Sequence, residues 1–325
     1  MNIYAYSVGS FEKPLLRAAA DRHTLRLSEE GLSPETAERA RGYEAVLIFG
    51  TDDASAPSLE ALHRVGVRYL VTRSAGTDHV DLDAARRLKL KVASIPSYSP
   101  HAIAEHAVGL MLALGRRLIR SAERTRQFNF ELTPDLVGFE LHGKTVGIAG
   151  FGKIGAIVAE ILRGFGARVL AYDLHPDEAR KLTDAPVRFV GLDTLLRRSD
   201  VVSIHLPLTD QTRGLFGADT FRKMKRGAML INTGRGGVLD TEAARQALES
   251  GQLGYLGLDV YEHEHGLFFE DHSARRRTPD PLLAALMERD NVLVTGHQAF
   301  LTEEAIEAIA RQSIAHLDRW ARRAR

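Results

Sequence analysis

The sequence predicts an α/β protein of two domains, each built on a parallel sheet covered by helices. Three observations carry that expectation. Short apolar runs alternate with helical patterns along nearly the whole chain, as parallel sheets with helical crossovers require. At 325 residues the chain exceeds one ordinary core and suits two domains. Its hydrophobic fraction of 44% and charged fraction of 26% are those of a globular protein, which argues against a disordered, fibrous or membrane-spanning chain.

In the first hundred residues, Ile3 to Tyr6, Ala45 to Phe49, Tyr69 to Thr72 and Lys91 to Ile95 read as strands. Phe11 to Ala20, Pro34 to Arg41, Ser58 to Arg64 and Leu82 to Lys89 read as the helices between them, with Ser33 as an N-cap before Pro34. After Pro100 a long apolar-periodic helix is expected from about His101 to Ser121, carrying Ile103, Ala107, Leu110, Met111 and Leu114 on one side as a core face. An irregular polar stretch around Asn129 to Asp135 precedes six further strands. These are Thr145 to Ala149, Arg168 to Tyr172, Val201 to Leu206, Ala228 to Asn232, Leu256 to Val260 and Val292 to Thr295. Glu303 to Arg322 closes the chain as an amphipathic helix.

Composition removes several kinds of chemistry. The formal net charge of +1 provides no overall field for nucleic acid or an anionic membrane, which favours a small-molecule partner. With no cysteine there is no disulfide, thiolate nucleophile or Cys-ligated metal, so catalysis must run on oxygen, nitrogen or a cofactor, and no metal is expected. The N-terminus lacks a basic region followed by an apolar one, and no stretch approaches the ~20 apolar residues of a spanning helix. A cytoplasmic protein is expected. Only 8 of the 43 basic residues are lysine, a skew for which a GC-rich genome and heat adaptation are alternative readings.

Chemistry enters at Gly150-Phe151-Gly152-Lys153-Ile154-Gly155, where three glycines stand at G-x-G-x-x-G spacing between a strand and the helix Ile157 to Phe165. The first glycine permits a tight turn, the second lets backbone approach a pyrophosphate, and the third lets helix pack on strand. The phosphates would meet the free N–H groups of a helix N-terminus. Asp173 follows 18 residues after Gly155, at the end of the next strand. A carboxylate there accepts from a ribose diol and repels a 2′-phosphate, which favours NAD over NADP.

Three further strand ends carry polar side chains. Asn232-Thr233-Gly234-Arg235-Gly236-Gly237 places an arginine among glycines, where its fork suits a carboxylate or keto oxygen, although a surface arginine in a glycine-rich turn has the same appearance. Asp259-Val260-Tyr261-Glu262-His263-Glu264 ends another strand with three acids, and Thr295-Gly296-His297-Gln298-Ala299-Phe300 ends the last with a histidine. Histidine exchanges protons near neutrality, and a nearby carboxylate fixes its ring. Thirteen histidines are present, and sequence alone leaves the partner of His297 open.

At these residues the chain resembles the D-isomer-specific 2-hydroxyacid dehydrogenases over essentially its whole length. The resemblance rests on the glycine fingerprint, Val202-Ser203-Ile204-His205-Leu206-Pro207-Leu208-Thr209, the Asn232 to Gly236 segment, Asp259-Val260-Tyr261-Glu262 and the segment from Thr295 to Thr302. Leu267-Phe268-Phe269-Glu270-Asp271 and Gly296-His297-Gln298-Ala299-Phe300 are similar to the lactate-type branch, since many relatives carry Pro-His at the latter.

The resemblance implies two flavodoxin/Rossmann-like domains with parallel sheets. An NAD-binding domain (99–298) would be inserted in a discontinuous substrate or catalytic domain (1–98 plus 299–325), with substrate in the cleft between them. It implies that Arg235 binds and polarises a 2-oxo acid, that His297 is the proton donor and that Glu264 keeps His297 protonated. Cofactor contacts would come from Gly150, Gly152, Lys153, Ile154, Gly155, Asp173, Leu206, Pro207, Thr233, Gly234, Arg235 and Asp259. Substrate contacts would come from Ala75, Gly76, Tyr98, Arg235, His297 and Phe300, with Tyr98 equally readable as a packing aromatic before Pro100. Thr212 stands where lactate-type relatives often have asparagine. The implied activity is reduction of pyruvate to D-lactate with NADH; the alternatives are a bulkier 2-oxo acid, such as phenylpyruvate or 2-oxoisocaproate, and a non-enzymatic NAD-sensing corepressor. Such corepressors carry added tails, whereas this chain starts on a strand and stops within a helix. A homodimer or higher homo-oligomer is implied, with the apolar helix after Pro100 the place to look for its interface.

Overall fold

A computed structural model of the chain describes residues 1–274 and 279–323. They divide into two compact units, one of residues 1–99 together with those from Phe300 onward, the other Pro100–Ala299.

The first unit is a five-stranded parallel sheet of β1 (Asn2–Ala5), β2 (Thr24–Leu27), β3 (Ala45–Ile48), β4 (Tyr69–Thr72) and β5 (Lys91–Ala93), in the order β2-β1-β3-β4-β5. Strands β3 and β4 are buried at every position, which explains their unbroken apolar character. Alternate residues serve the two faces: Tyr4, Val46, Ile48 and Leu70 pack with Leu59 and Leu62 of α2 (Ala56–Arg64) on one side. Ile3, Ala5, Leu47 and Val71 pack on the other with Leu16 of α1 (Lys13–Ala19) and with Ala310, Ile314 and Leu317. The last three lie on the C-terminal helix, Glu303–Arg323, which returns to this sheet and stacks Trp320 on Tyr69 with ring centroids 5.2 Å apart. The strand β2 gives little sequence signal because it is an edge strand with alternating exposed and half-buried positions. The helix expected over Pro34 to Arg41 is only a single 3-10 turn, Ala37–Ala40. Thr36 Oγ1 donates to the carbonyl of Gly31 and accepts from Ser33 N, a local alternative to helical bonding.

The second unit opens with α4 (Pro100–Gly115) and α5 (Leu118–Arg126), following α3 (Leu82–Arg87) of the first. One continuous helix was expected here, and the structure breaks it. The carbonyl of Gly115 is taken by Phe139 N at 2.8 Å, and Arg117 turns left-handed at φ 53 with its guanidinium over the Tyr255 ring. The apolar face of α4 is buried inside the unit through Ala104, Ala107, Val108, Leu110, Met111 and Leu114. Exposed apolar side chains gather beyond it instead, at Leu118, Ile119, Phe128, Phe130, Leu132 and Val137.

Seven parallel strands follow: β6 (Thr145–Ala149), β7 (Arg168–Tyr172), β8 (Arg188–Phe189), β9 (Val201–Ile204), β10 (Ala228–Asn232), β11 (Leu253–Leu258) and β12 (Val292–Val294). Their order, β12-β11-β10-β9-β6-β7-β8, reverses between β6 and β9, the position where open α/β sheets bind ligands at their carboxyl ends. The helices are α6 (Lys153–Gly164), α7 (Pro176–Ala179), α8 (Leu192–Arg198), α9 (Ala218–Lys223), α10 (Thr241–Glu249) and α11 (Pro281–Met287). Val146, Ile148, Met229 and Ile231 face α4 and α6, while Val202, Ile204, Leu230, Leu256 and Leu258 face the opposite layer. Among the described residues no helix is long and apolar enough to cross a membrane.

Candidate active site

The glycine turn lies at the switch point. Gly150 adopts φ +92 directly after β6, and a Cβ on it would stand 2.6 Å from the carbonyl oxygen of His205, which follows β9. Only glycine satisfies both the conformation and that close approach. A Cβ on Gly155 would likewise stand 2.5 Å from the Gly150 carbonyl oxygen, so α6 packs against the turn only because a glycine stands there. A Cβ on Gly152, by contrast, would meet nothing within 4 Å. Gly152 is the N-cap of α6 and supplies no side-chain cap, leaving an open cradle at a helix N-terminus where Lys153 and Ile154 begin the first turn. Asp173 is bound into the cradle's rim, its Oδ2 accepting from Phe151 N and its Oδ1 from His175 N, both at 2.8 Å.

The other walls come from β9 and β10. Leu206 is buried and Pro207 exposed beyond β9. His205 donates or accepts through Nε2 with Ser203 Oγ at 2.9 Å, and its buried Nδ1 has no partner among the described residues. Burial pushes this imidazole down to about 4, so it is neutral at physiological pH. Thr233 after β10 is buried, and its Oγ1 likewise lacks a partner among the described residues. An open glycine cradle, a carboxylate at its rim and an orphaned hydroxyl beside it fit a bound dinucleotide.

The turn carrying Arg235 is shaped by Asn232, a fully buried side chain that belongs to the motif but to which the sequence assigns no role of its own. Its Nδ2 donates to the Arg235 carbonyl at 3.0 Å, and its Oδ1 accepts from Gly234 N at 3.1 Å. Gly236 then lies so near the next strand end that a Cβ would stand 2.1 Å from the carbonyl carbon of Tyr261. That contact sets the Arg235 turn against the segment leading to Glu264.

The three acids after β11 separate into three tasks. Asp259 is wholly buried; its Oδ1 accepts from Thr295 Oγ1 at 2.6 Å and Gln298 N at 2.9 Å, and its Oδ2 from Ala299 N at 2.9 Å. Glu262 accepts from Thr241 N at the start of α10. Glu264 Oε1 accepts from His297 Nδ1 at 3.0 Å, while its Oε2 accepts from Tyr261 N at 3.2 Å. Because a carboxylate only accepts, Nδ1 of His297 carries hydrogen and Nε2 is the nitrogen left to exchange a proton with a ligand. Phe269 packs beside the imidazole with ring centroids 5.6 Å apart. Among the described residues no group of side chains suits a metal ion.

In the first unit, Ser74 Oγ donates to the Gly76 carbonyl at 2.8 Å and pairs with Thr72 Oγ1 at 2.7 Å, which shapes the turn at Ala75 and Gly76. Tyr98 and Phe300 pack edge-to-face at 6.3 Å, and Phe49 meets Phe300 at 6.1 Å. Tyr98 also packs on the core of that unit.

A doubly wound sheet with a dinucleotide cradle, and a histidine–carboxylate pair at neighbouring strand ends, fits the class of nicotinamide-dependent oxidoreductases. Residues 108–299 match the family model for the D-isomer specific 2-hydroxyacid dehydrogenase, NAD binding domain. The chain belongs to the D-isomer-specific 2-hydroxyacid dehydrogenase family, and NAD is its cofactor. The chain is 44% identical to the D-lactate dehydrogenase of Escherichia coli (strain K12), across 98% of this chain and 96% of that protein. Identity to the D-lactate dehydrogenase kk1H of Curvularia clavata is 48%, over 90% and 82% of the respective chains. Among solved structures, the pyruvate reductase of Chlamydomonas reinhardtii superposes with a TM-score of 0.91 at 41% identity, covering 98% of this chain and 96% of that one.

Proposed function

We propose that the protein is an NAD-dependent D-lactate dehydrogenase that reduces pyruvate to D-lactate. The observation that carries the reading is the 3.0 Å bond from His297 Nδ1 to Glu264 Oε1, at the carboxyl edge of a sheet that also holds a dinucleotide cradle. The two D-lactate dehydrogenase relatives support the substrate. When bound, NADH supplies a hydride to the carbonyl carbon of the 2-oxo acid.

The protein's own residues manage the oxygen. Arg235 engages the 2-oxo acid through its planar fork and draws electron density toward the carbonyl oxygen. His297 delivers the Nε2 proton to that oxygen as the alcohol forms, and Glu264 holds the ring and balances its charge through Nδ1. Asp173, Gly152 and the first turn of α6 anchor the ribose and pyrophosphate, with Leu206, Pro207, Thr233, Gly234 and Asp259 as further cofactor contacts. Residues 1–98 with 299–325 act as the substrate domain, where amides at Ala75 and Gly76 take the substrate carboxylate and Tyr98 and Phe300 contact its side chain.

The same reading makes the enzyme a cytoplasmic homo-oligomer joined through residues 118–137, where Phe128 is 86% and Leu132 92% exposed. A panel of 2-oxo acids ranked by kcat/KM tests the substrate, with chiral analysis of the product. Preference for phenylpyruvate or 2-oxoisocaproate would replace pyruvate in this reading, and NADH binding without turnover of any 2-oxo acid would leave a cofactor-sensing protein.

A further inference from the structure

We propose that His106 is a positioning residue for His297, acting through Thr295 and Asp259. His297 adopts φ 52, a left-handed conformation that is strained for a residue with a Cβ and persists only where its surroundings impose it. Asp259 imposes it. Its carbonyl accepts from His297 N at 2.7 Å, and its carboxylate gathers Gln298 N and Ala299 N from the same turn. That carboxylate is buried and needs its donors to remain in place.

Helix α4 completes the donor set. Gly257 of β11 lacks a Cβ, which would lie 3.2 Å from Leu114 and 3.4 Å from Leu110, so α4 packs close against the strand that ends at Asp259. His106, one turn earlier along that helix than Leu110, sets Nε2 3.0 Å from Thr295 Oγ1 and 3.4 Å from Asp259 Oδ1. Thr295 has a single hydroxyl proton, and Asp259 Oδ1 accepts it at 2.6 Å. His106 Nε2 therefore donates, and the hydrogen bonds run in one direction: His106 to Thr295 to Asp259, whose backbone and side chain hold the His297 turn. Removing the first donor leaves Thr295 free to rotate and the Asp259 carboxylate short of a neighbouring donor, which loosens the turn carrying the proton donor. Displacement of a reacting group by ~1 Å costs on the order of 100-fold in rate.

The test compares His106→Leu with His106→Gln and Thr295→Val, using pyruvate and NADH. This kinetic arm rests on the functional reading above. In His106→Leu, kcat is expected to fall about tenfold or more, while the Kd for NADH, read by fluorescence, stays at the wild-type value. His106→Gln retains an N–H donor and is expected to recover most of the loss. Thr295→Val cuts the same chain without touching α4, which keeps the test decisive if His106→Leu folds poorly. Combining the two should cost little more than either alone, since both remove one connection. A readout independent of turnover is the His297 ring in long-range 1H–15N spectra of the cofactor-free protein, expected to shift in His106→Leu and return in His106→Gln. Wild-type kcat together with an unchanged ring spectrum in His106→Leu, or fully additive losses in the double variant, would overturn the proposal. A wild-type protein that reduces no 2-oxo acid would instead overturn the functional reading, with the ring spectrum still deciding the role of His106.

Discussion

Glu264 accepts a hydrogen bond from Nδ1 of His297 at 3.0 Å, which makes the other ring nitrogen the only one free to pass a proton to a ligand. Glu264→Gln keeps the shape of the acceptor and removes its charge, so the cationic ring loses its partner. The expected result is a fall in kcat of ~10²- to 10⁴-fold with NADH affinity unchanged, read from steady-state rates and a fluorescence titration. Equal kcat in wild type and variant would separate Glu264 from proton transfer.

Two glycines of one turn should respond oppositely. Gly150→Ala forces a Cβ to within 2.6 Å of the His205 carbonyl at φ +92, so thermal stability is expected to drop sharply. Gly152→Ala enters open space, so its Tm should match wild type while the Kd for NADH rises at least tenfold. Calorimetry with cofactor titration distinguishes them; full NADH affinity in a folded Gly152→Ala protein would count against the cradle.

The half-buried His205, with its Nδ1 enclosed, links stability to pH. Desolvation lowers it to about 4, whereas an unfolded histidine titrates near ~6.5, so the unfolded chain takes up its proton first. The contribution is complete above pH ~6.5 and is lost as the pH falls toward 4, amounting to at most about 3 kcal/mol. Urea midpoints of the cofactor-free protein should fall less steeply between pH 7 and 4.5 in His205→Gln than in wild type. Parallel pH curves for the two proteins would refute the assignment.

Arg73 is buried directly before the Ala75–Gly76 turn, with Nε donating to Glu12 Oε1 at 3.0 Å and Nη2 to the carbonyls of Tyr6 and Ser7. Glu12→Ala leaves that guanidinium without its counter-charge and is expected to destabilise the protein by about 3 kcal/mol in chemical denaturation. Replacing both residues by methionine should cost much less. A loss below about 0.5 kcal/mol for Glu12→Ala would show the pair to be energetically idle.

Much of this was legible because the second unit announces itself locally. Gly150, Gly152, Gly155 and Asp173 lie within one strand–turn–helix–strand segment, and their spacing carries their geometry. Long-range relations were less visible. Asp259, Glu262 and Glu264 look alike in sequence; the family resemblance singles out Glu264 as the partner of His297, and the fold brings the two together, but only the fold ties Asp259 to a neighbouring turn and Glu262 to the start of α10. The break between α4 and α5 was hidden because Phe139, far along the chain, captures the Gly115 carbonyl. The edge strand β2 was missed because half-exposed positions leave no apolar run to detect.

On the proposed function, everything turns on His297 as the proton donor in reduction of pyruvate to D-lactate. Its most direct test is pyruvate-dependent NADH oxidation by wild type and His297→Ala, with product chirality and NADH Kd measured on the same preparations. D-lactate is expected from the wild type, and in the variant a kcat lower by at least ~10³-fold with NADH affinity intact. Wild-type turnover in the variant would contradict it.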